Sequence, residues 1–199
     1  MKRKTIIILS VILIASISAV GAYAYFIDGV TSNNNTFSAG SLILNVDGQH
    51  TNIIKFNVSN MQAGNQPKQS YTLQNVGTIK GYIDIEAINV VDTENVRVQP
   101  EIDAGDTTDG IGELSQVLNL RLFIDYNGDG WISAGDTIFF NGKMDTLPAN
   151  FELNESLNAG GSVKIVALVD WWSTTIDNQV MTDSVDLGLT FELAQTTGQ

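Results

Sequence analysis

The segment from residue 125 to residue 136 carries the one motif whose residue types and spacing indicate a metal site. It reads DYNGDGWISAGD and matches the D-x-N-x-D-G pattern of calcium-binding loops. Calcium prefers about six to eight oxygen ligands held by a tightly wound loop. The predicted ligands are the side chains of Asp125, Asn127, Asp129, Ser133 and Asp136, together with the main-chain carbonyl of Trp131.

The order of residues in this segment indicates how it winds around an ion. Asp125, Asn127 and Asp129 occupy alternate positions, so a winding backbone aims their oxygens at one centre. Gly130 stands where such a loop turns sharply, and Ile132 is predicted to anchor the loop to the core. The alternative is a turn rich in glycine and aspartate that binds no metal.

The end of the segment indicates a structural site. Ser133 is predicted to act through water, and Asp136 stands at the twelfth position, where EF-hands carry glutamate. Because aspartate is shorter, we expect bidentate binding to be less secure and the affinity for calcium to be lower. The flanks, Leu120–Ile124 and Thr137–Phe140, read as strands, so we predict a β-hairpin closed by a calcium loop. No helix pair that a switch would open is visible.

Catalytic groups are sparse, and we predict that the protein is not an enzyme. The sequence has no cysteine and a single histidine, His50, in a polar turn near Gly48. A zinc protease therefore lacks its usual His-Glu-x-x-His ligands, and no catalytic residue is assigned. The pair Trp171-Trp172 is able to stack on a sugar, although we favour packing at the core or at a sheet edge.

Short apolar stretches with turn residues between them predict an all-β fold. No sustained 3.6-residue apolar periodicity follows residue 24, apart from a short helix that the pattern allows near Ile111–Leu118. The spacing of the strands favours a β-sandwich, jelly-roll-like in its connections. The predicted strands are Ser41–Val46, Ile53–Ser59, Ser70–Leu73, Gly81–Val91, Leu118–Asp125, Thr137–Phe140, Ser162–Trp172 and Val185–Leu193.

Period-two alternation predicts which side chains face the core. In the fourth predicted strand Ile83, Ile85 and Ala87 share one face, and Asp84 and Glu86 share the other. Two further strands are predicted to bury alternate residues, which are Leu118, Leu120, Leu122 and Ile124 in one and Val185, Leu187, Leu189, Phe191 and Leu193 in the other.

Charge and hydropathy divide the chain into three parts. Residues 1–24 have a basic start and an uncharged apolar run, which predicts a secretory signal peptide, with a retained membrane anchor as the alternative. Residues 25–40 form an N-terminal segment, and residues 41–199 form one β-sandwich domain. The formal charge of −12 makes nucleic acid and anionic membrane surfaces unsuitable partners. Membrane contact is expected only through the signal segment before cleavage.

The domain contains an acidic insertion at residues 92–116. Its acidic residues begin with Asp92 and end with Glu113. The plainest interpretation is a solvated loop, and the alternatives are a second cation site or a contact between subunits.

Three stretches resemble the TasA/camelysin family. They are GAYAYFID at 21–28 followed by SNNNTFSAGSLIL at 32–44, then SYTLQNVGT at 70–78, and DN at 177–178 with DSVDL at 183–187 and FELAQ at 191–195. The resemblance spans the chain, and its first part is the most specific. Members include biofilm-matrix fibre proteins, and archaeal bundling pilins are similar. A camelysin-like peptidase is the least favoured alternative, because no zinc motif accompanies the resemblance.

The resemblance implies a jelly-roll-like sandwich, export by a signal peptidase and assembly into extracellular filaments at the cell surface or in a biofilm matrix. In such fibres the first segment of one subunit adds a strand to the next, which gives a head-to-tail homopolymer. The donor residues here would be Tyr25, Phe26, Ile27, Asp28, Gly29 and Val30.

Physical chemistry favours the same arrangement. A short, apolar, β-prone segment gains main-chain hydrogen bonds and side-chain burial at an open sheet edge. Two alternatives stay open. In the first, Tyr25–Val30 pairs with its own domain as an ordinary first strand. In the second, the protein is a monomeric calcium-binding surface module or carbohydrate-binding module.

Overall fold

The computed structural model describes residues 40–61, 64–171 and 178–198. The predicted signal peptide lies outside the described residues, as does the predicted donor-strand segment apart from Gly40. Residues 40–199 form one compact unit. The boundary between the predicted N-terminal segment and the domain therefore stays a prediction.

Antiparallel strands dominate the described residues, which confirms the all-β prediction. The strands are β1 Leu44–Val46, β2 Ile53–Ser59, β3 Lys68–Asn75, β4 Gly81–Thr93, β5 Leu118–Asp125, β6 Thr137–Lys143, β7 Phe151–Leu157, β8 Ser162–Trp171 and β9 Ser184–Ala194. The sequence analysis missed β7, in which exposed polar residues alternate with partly or fully buried ones.

Two short helices lie in the acidic insertion, α1 at Gln99–Ala104 and α2 at Leu114–Val117. The second falls within the stretch for which the sequence allowed a helix. Single 3-10 turns occur at Met144–Thr146 and Asn178–Val180. In the part of the chain that the structure describes, no helix has the length and apolar character needed to cross a bilayer.

The strands form two antiparallel sheets. One has the order β1-β3-β8-β5-β6 and the other the order β2-β9-β4-β7. Buried side chains from both sheets belong to one cluster, and the rings of Tyr71 and Phe191 approach to 6.4 Å across it. The β-sandwich is therefore confirmed. Its jelly-roll connectivity stays a prediction, favoured by the way β2, β3, β4 and β5 alternate between the sheets.

The residues predicted to be buried are buried in β5 and in most of β9, but β5 is also buried on its other face, at Asn119, Phe123 and Asp125. Leu118, Leu120, Leu122 and Ile124 are buried, as are alternate residues of β9 from Val185 to Phe191. At the end of β9 the alternation fails, because Ala194 is buried and Leu193 is only partly so. A period of two residues therefore predicts the core-facing side chains of β5, and those of β9 as far as Phe191.

The predicted facing of Ala87 in β4 is wrong. The pairing of β4 with β9 shifts between Ile85 and Ala87, and this bulge reverses the phase of the strand. Ala87 is exposed, whereas Ile88 packs against the core. Asp84 was predicted to face water but is 3% exposed, because its Oδ1 accepts the Asn154 N–H at 2.6 Å.

The start of the described chain is fixed against the turn that follows β3. The Thr78 N–H donates to the Ser41 carbonyl at 2.8 Å, and the Ser41 N–H donates to Thr78 Oγ1 at 2.9 Å. A Cβ added at Gly77 would lie 2.2 Å from the Ser41 oxygen, so only glycine allows this approach. The described chain therefore begins beside β1 and β3.

Candidate metal centre

The predicted calcium loop connects β5 to β6 as a hairpin. The two strands pair antiparallel, with Ile124 opposite Thr137 at the base of the loop. Both flanks are strands, as the sequence predicted. The loop therefore stands on a rigid sheet, which limits how far its ends are able to separate.

Asp125 organises the first half of the loop. Its side chain is 3% exposed, and its two carboxylate oxygens accept the Gly128 N–H at 2.7 Å and the Gly130 N–H at 2.8 Å. Gly128 and Gly130 both have positive φ, at 81° and 75°. Glycine adopts this left-handed conformation without steric cost, which allows the backbone to wind around the carboxylate.

The other polar side chains of the loop converge. The Asn127 amide nitrogen donates to Asp129 Oδ2 at 3.1 Å and to Ser133 Oγ at 2.8 Å. Ser133 Oγ in turn donates to Asp136 Oδ2 at 2.9 Å. The structure therefore brings together four of the predicted ligands, although Asn127 presents its nitrogen and must rotate to offer a cation its oxygen.

Asp136 closes the loop. Its carboxylate accepts the Ser133 N–H at 2.8 Å and the Tyr126 N–H at 3.1 Å. Desolvation opposes the charge of Asp136, but these hydrogen bonds outweigh it and hold the pKa of the carboxyl below its ordinary value. Asp136 is thus available as a charged oxygen ligand.

Two lysines that the sequence analysis missed hold the loop against the outer face of the five-stranded sheet. Lys68 Nζ in β3 donates to the Gly130 carbonyl at 2.9 Å, and Lys164 Nζ in β8 donates to the Gly128 carbonyl at 2.7 Å. Lys164 Nζ also lies 4.0 Å from Asp125 Oδ2. These cations reduce the negative potential of the loop, so we expect them to lower its affinity for calcium.

The apolar residues of the loop also contact this outer face. The Lys68 ammonium lies 3.7 Å from the centre of the Trp131 ring. Ile132 packs against a separate cluster of Phe123, Val166 and Leu168, not against the core between the sheets. Ile132 therefore contacts buried apolar residues on the outer side of β5 and β8, and not those between the two sheets.

The histidine and the tryptophan pair singled out in the sequence do not form a second metal site among the described residues. His50 is exposed, Trp171 is partly buried against the core, and Trp172 lies outside the described residues. The oxygen-only donors of the loop suit a hard cation such as calcium.

A second group of oxygens lies in the acidic insertion. There the carboxylate oxygens of Glu94, Asp106 and Glu113 lie within 4.8 Å of one another.

Replacing Asp129 with asparagine tests the loop. Asparagine at this position keeps an oxygen for the Trp131 N–H, which Asp129 Oδ1 accepts at 2.7 Å, but removes the charge that calcium needs. We expect the thermal midpoint of D129N to fall by about 5–10 °C at calcium concentrations near a hundred times the dissociation constant. In EGTA we expect the midpoints of variant and wild type to agree within about 1 °C.

The control for this measurement is Asp145→Asn, which makes the same change at an exposed position outside the loop. Calorimetry of the three proteins, with and without calcium, gives the comparison. Equal melting of D129N and wild type in saturating calcium would contradict the loop assignment.

Comparison with known proteins places the chain in a family. A family model described as camelysin metallo-endopeptidase matches residues 1–120. No curated protein matches the sequence. The match covers more than half of the chain and includes the N-terminal and Asn75–Thr78 stretches that carry the resemblance. The chain therefore belongs to the TasA/camelysin family.

Proposed function

We propose that this chain is a secreted structural subunit that polymerises into extracellular filaments by donor-strand complementation. Membership of the TasA/camelysin family links it to secreted biofilm-matrix proteins. The partner of each subunit is a second copy of the same chain, joined head to tail. A signal peptidase releases the subunit, and the filaments lie at the cell surface or in the biofilm matrix.

The observation that carries the proposal is the incomplete edge of the five-stranded sheet. β1 pairs only with Leu73–Asn75 at one end of β3. Beyond β1, the Asp47 N–H donates to the Thr72 carbonyl at 2.9 Å, and the Thr72 N–H donates to Asp47 Oδ1 at 2.8 Å. From Lys68 to Tyr71, β3 has β8 on one side and no strand among the described residues on the other.

An edge of this kind accepts an extended peptide. Main-chain hydrogen bonds supply affinity, at a net of about 1 kcal/mol each, and alternate side chains of the added strand supply burial. Two or three large apolar side chains of Tyr25–Val30 would contribute roughly 1.5–3 kcal/mol each. This gain supports a subunit that has no disulfide to stabilise it.

The position of the first described residues also bears on the proposal. Ser41 is hydrogen-bonded to the turn after β3, on the same side of the sheet as the unpaired stretch Lys68–Tyr71 but at the other end of β3. Residues 31–39 span at most roughly 30 Å when extended. That length allows Tyr25–Val30 to reach a neighbouring subunit or to return to its own sheet, so experiment must separate the two.

Calcium bound at the loop would stabilise the subunit across the five-stranded sheet. The loop joins β5 to β6 and lies over the outer face of the sheet as far as Lys68 of β3. An ion there would hold two strands together without taking part in catalysis. We therefore propose a structural role for calcium and no role for a catalytic metal.

We propose no peptidase activity, although the description of the matching family names a metallo-endopeptidase. The chain has one histidine and no cysteine, so imidazole and thiolate ligands for zinc are nearly absent from its sequence. The loop and the acidic insertion offer carboxylate and carbonyl oxygens instead, which favour calcium. Bound zinc together with cleavage of casein would contradict this part of the proposal.

Electron cryo-microscopy of the protein collected from the cell surface tests the proposal directly. We expect filaments in which density for Tyr25–Val30 crosses from one subunit to the β3 edge of the next. Monomeric particles, or filaments in which each first segment pairs with its own sheet, would overturn it. Monomers would favour the calcium-binding or carbohydrate-binding module.

A further inference from the structure

The acidic insertion and the start of β9 form one cluster of five carboxylates. Glu94 follows β4, Glu101 belongs to α1, Asp106 follows α1, Glu113 precedes α2, and Asp183 precedes β9. The oxygens of Glu94, Asp106 and Glu113 lie within 4.8 Å of one another, and so do those of Glu94, Glu101 and Asp183. Glu94 belongs to both groups, which makes the five residues one cluster.

These carboxylates are withdrawn from water, unlike those of a solvated loop. Glu101 is 0% exposed, Asp106 is 6% exposed and Asp183 is 2% exposed. Like charges held close together in a low dielectric repel strongly unless a cation lies between them.

The cluster has more acceptors than donors. Four of its carboxylate oxygens are buried and have no hydrogen-bond partner among the described residues, namely Glu94 Oε2, Asp106 Oδ2, Glu113 Oε2 and Asp183 Oδ1. A buried carboxylate oxygen without a donor is costly, and native structures contain few of them. Each such oxygen therefore requires a partner that protein atoms do not supply.

Backbone N–H groups donate to Glu101, Asp106 and Asp183, but the two hydroxyls that reach the cluster are each shared between acceptors. Thr108 Oγ1 has one proton, yet it lies 2.9 Å from Asp106 Oδ1 and 2.5 Å from Glu113 Oε1. Thr182 Oγ1 likewise lies 3.3 Å from Glu94 Oε1 and 2.7 Å from the Val96 carbonyl. One hydroxyl donates to one acceptor at full strength, so the shortage of donors is larger than the contacts suggest.

Basic side chains do not compensate for this charge. No ion pair in the described ranges involves any of the five residues. Arg97, the nearest basic residue in the insertion, pairs at 2.9 Å with Asp109, whose side chain is 84% exposed. The charge of Arg97 helps to hold the pKa of Asp106 down, after the hydrogen bonds from Thr108. The cluster remains strongly negative.

We propose that this cluster binds one calcium ion, at a second site separate from the Asp125–Asp136 loop. The ligands are the unpartnered oxygens of Glu94, Asp106 and Glu113, with Asp183 completing the charge on the β9 side. The donors are all carboxylate oxygens, which hard cations prefer. The oxygens lie within 4.8 Å of one another, close enough to share one ion at the roughly 2.3–2.6 Å distances of calcium ligands.

An ion at this position would connect parts of the chain that are far apart in sequence. It would join the end of β4 and both sides of α1 to the segment before β9, in a protein without cysteine. The insertion would then be fixed on the domain by metal, and it would loosen when calcium is removed. This consequence is independent of filament formation, so the two proposals fail separately.

Glu94→Gln tests the site by a change of sign. In EGTA the substitution removes like-charge repulsion, and we expect the thermal midpoint to rise. In millimolar calcium it removes a ligand shared by both groups, and we expect the midpoint to fall below wild type by about 5–10 °C. The matched control is Glu86→Gln, the same change at an exposed position of β4, which should leave both midpoints unchanged.

Calcium counting gives a second readout. After equilibrium dialysis in calcium, elemental analysis of Glu94→Gln should find one ion fewer per chain than wild type. Asp129→Asn should lose a different ion, and the double variant should lose both. If Glu94→Gln folds poorly, Asp106→Asn replaces it, because asparagine keeps the oxygen that accepts the Thr108 N–H at 2.8 Å.

Three outcomes would overturn the proposal. The first is an unchanged calcium count in Glu94→Gln or Asp106→Asn. The second is a rise of the midpoint by the same amount with and without calcium, which would mean crowded carboxylates satisfied by water. The third is an equal fall in both conditions, which would mean that Glu94 acts only through protein contacts.

Discussion

Deleting Tyr25–Val30 from the full chain is expected to abolish filaments while the protein is still exported. The deletion removes the strand that the open β3 edge of the next subunit accepts, so no contact passes from one copy to another. We expect negative-stain microscopy to show no fibres and sedimentation to show a monomer. The monomer should also melt at a lower temperature than the filament, because its sheet edge stays unfilled.

Adding the missing strand as a free peptide separates donor exchange from general damage. A peptide covering residues 25–33 should raise the thermal midpoint of the deletion variant without restoring filaments, because a free peptide is not tethered to another subunit. A peptide of the same composition in scrambled order is the control. Filaments that persist in the deletion variant would contradict the proposal, and so would a peptide that binds no better than its control.

The sequence predicted the sandwich well because burial in a sheet follows period two. Leu120 and Leu122 face the core as their spacing required. It failed where a local irregularity changes the phase of a strand, as at the bulge between Ile85 and Ala87. A bulge depends on how β4 meets β9, and the residues of β4 alone do not encode it. β7 was missed because only Phe151, Leu153 and Leu157 of its residues are apolar.

The two candidate metal sites differ in how far sequence predicts them. The loop contacts run between near neighbours, such as Asp125 with Gly130, so a motif is enough to place them. Lys68 and Lys164 reach the loop from β3 and β8, and only the sheet order brings them there. The acidic cluster likewise depends on Asp183, which is distant in sequence from Glu94. Charge in the insertion raised the question of a cation, but it could not show which carboxylates are buried.

Asn75 is the polar residue on which the incomplete edge most depends. It is 0% exposed, and its amide nitrogen donates to the carbonyls of Ile79 at 2.8 Å and Leu157 at 3.1 Å. Its Oδ1 accepts the Gly77 N–H at 3.0 Å. One side chain thus joins the end of β3, the turn that holds the start of the domain, and β7 in the other sheet. This explains why asparagine and glycine occur together in the stretch QNVGT at 74–78.

Asn75→Ala is expected to lower the free energy of unfolding by about 3–5 kcal/mol, because it leaves one N–H and two carbonyls without partners and opens a cavity. Urea unfolding measures the loss. The control is Asn57→Ala, which removes a single exposed contact to Asp186 at 2.7 Å and should cost no more than about 1 kcal/mol. Equal losses in the two variants would show that Asn75 does not fix the turn. If the loss is large, weaker filaments should accompany it, because the turn that Asn75 holds also fixes Ser41, which follows the proposed donor segment in the sequence.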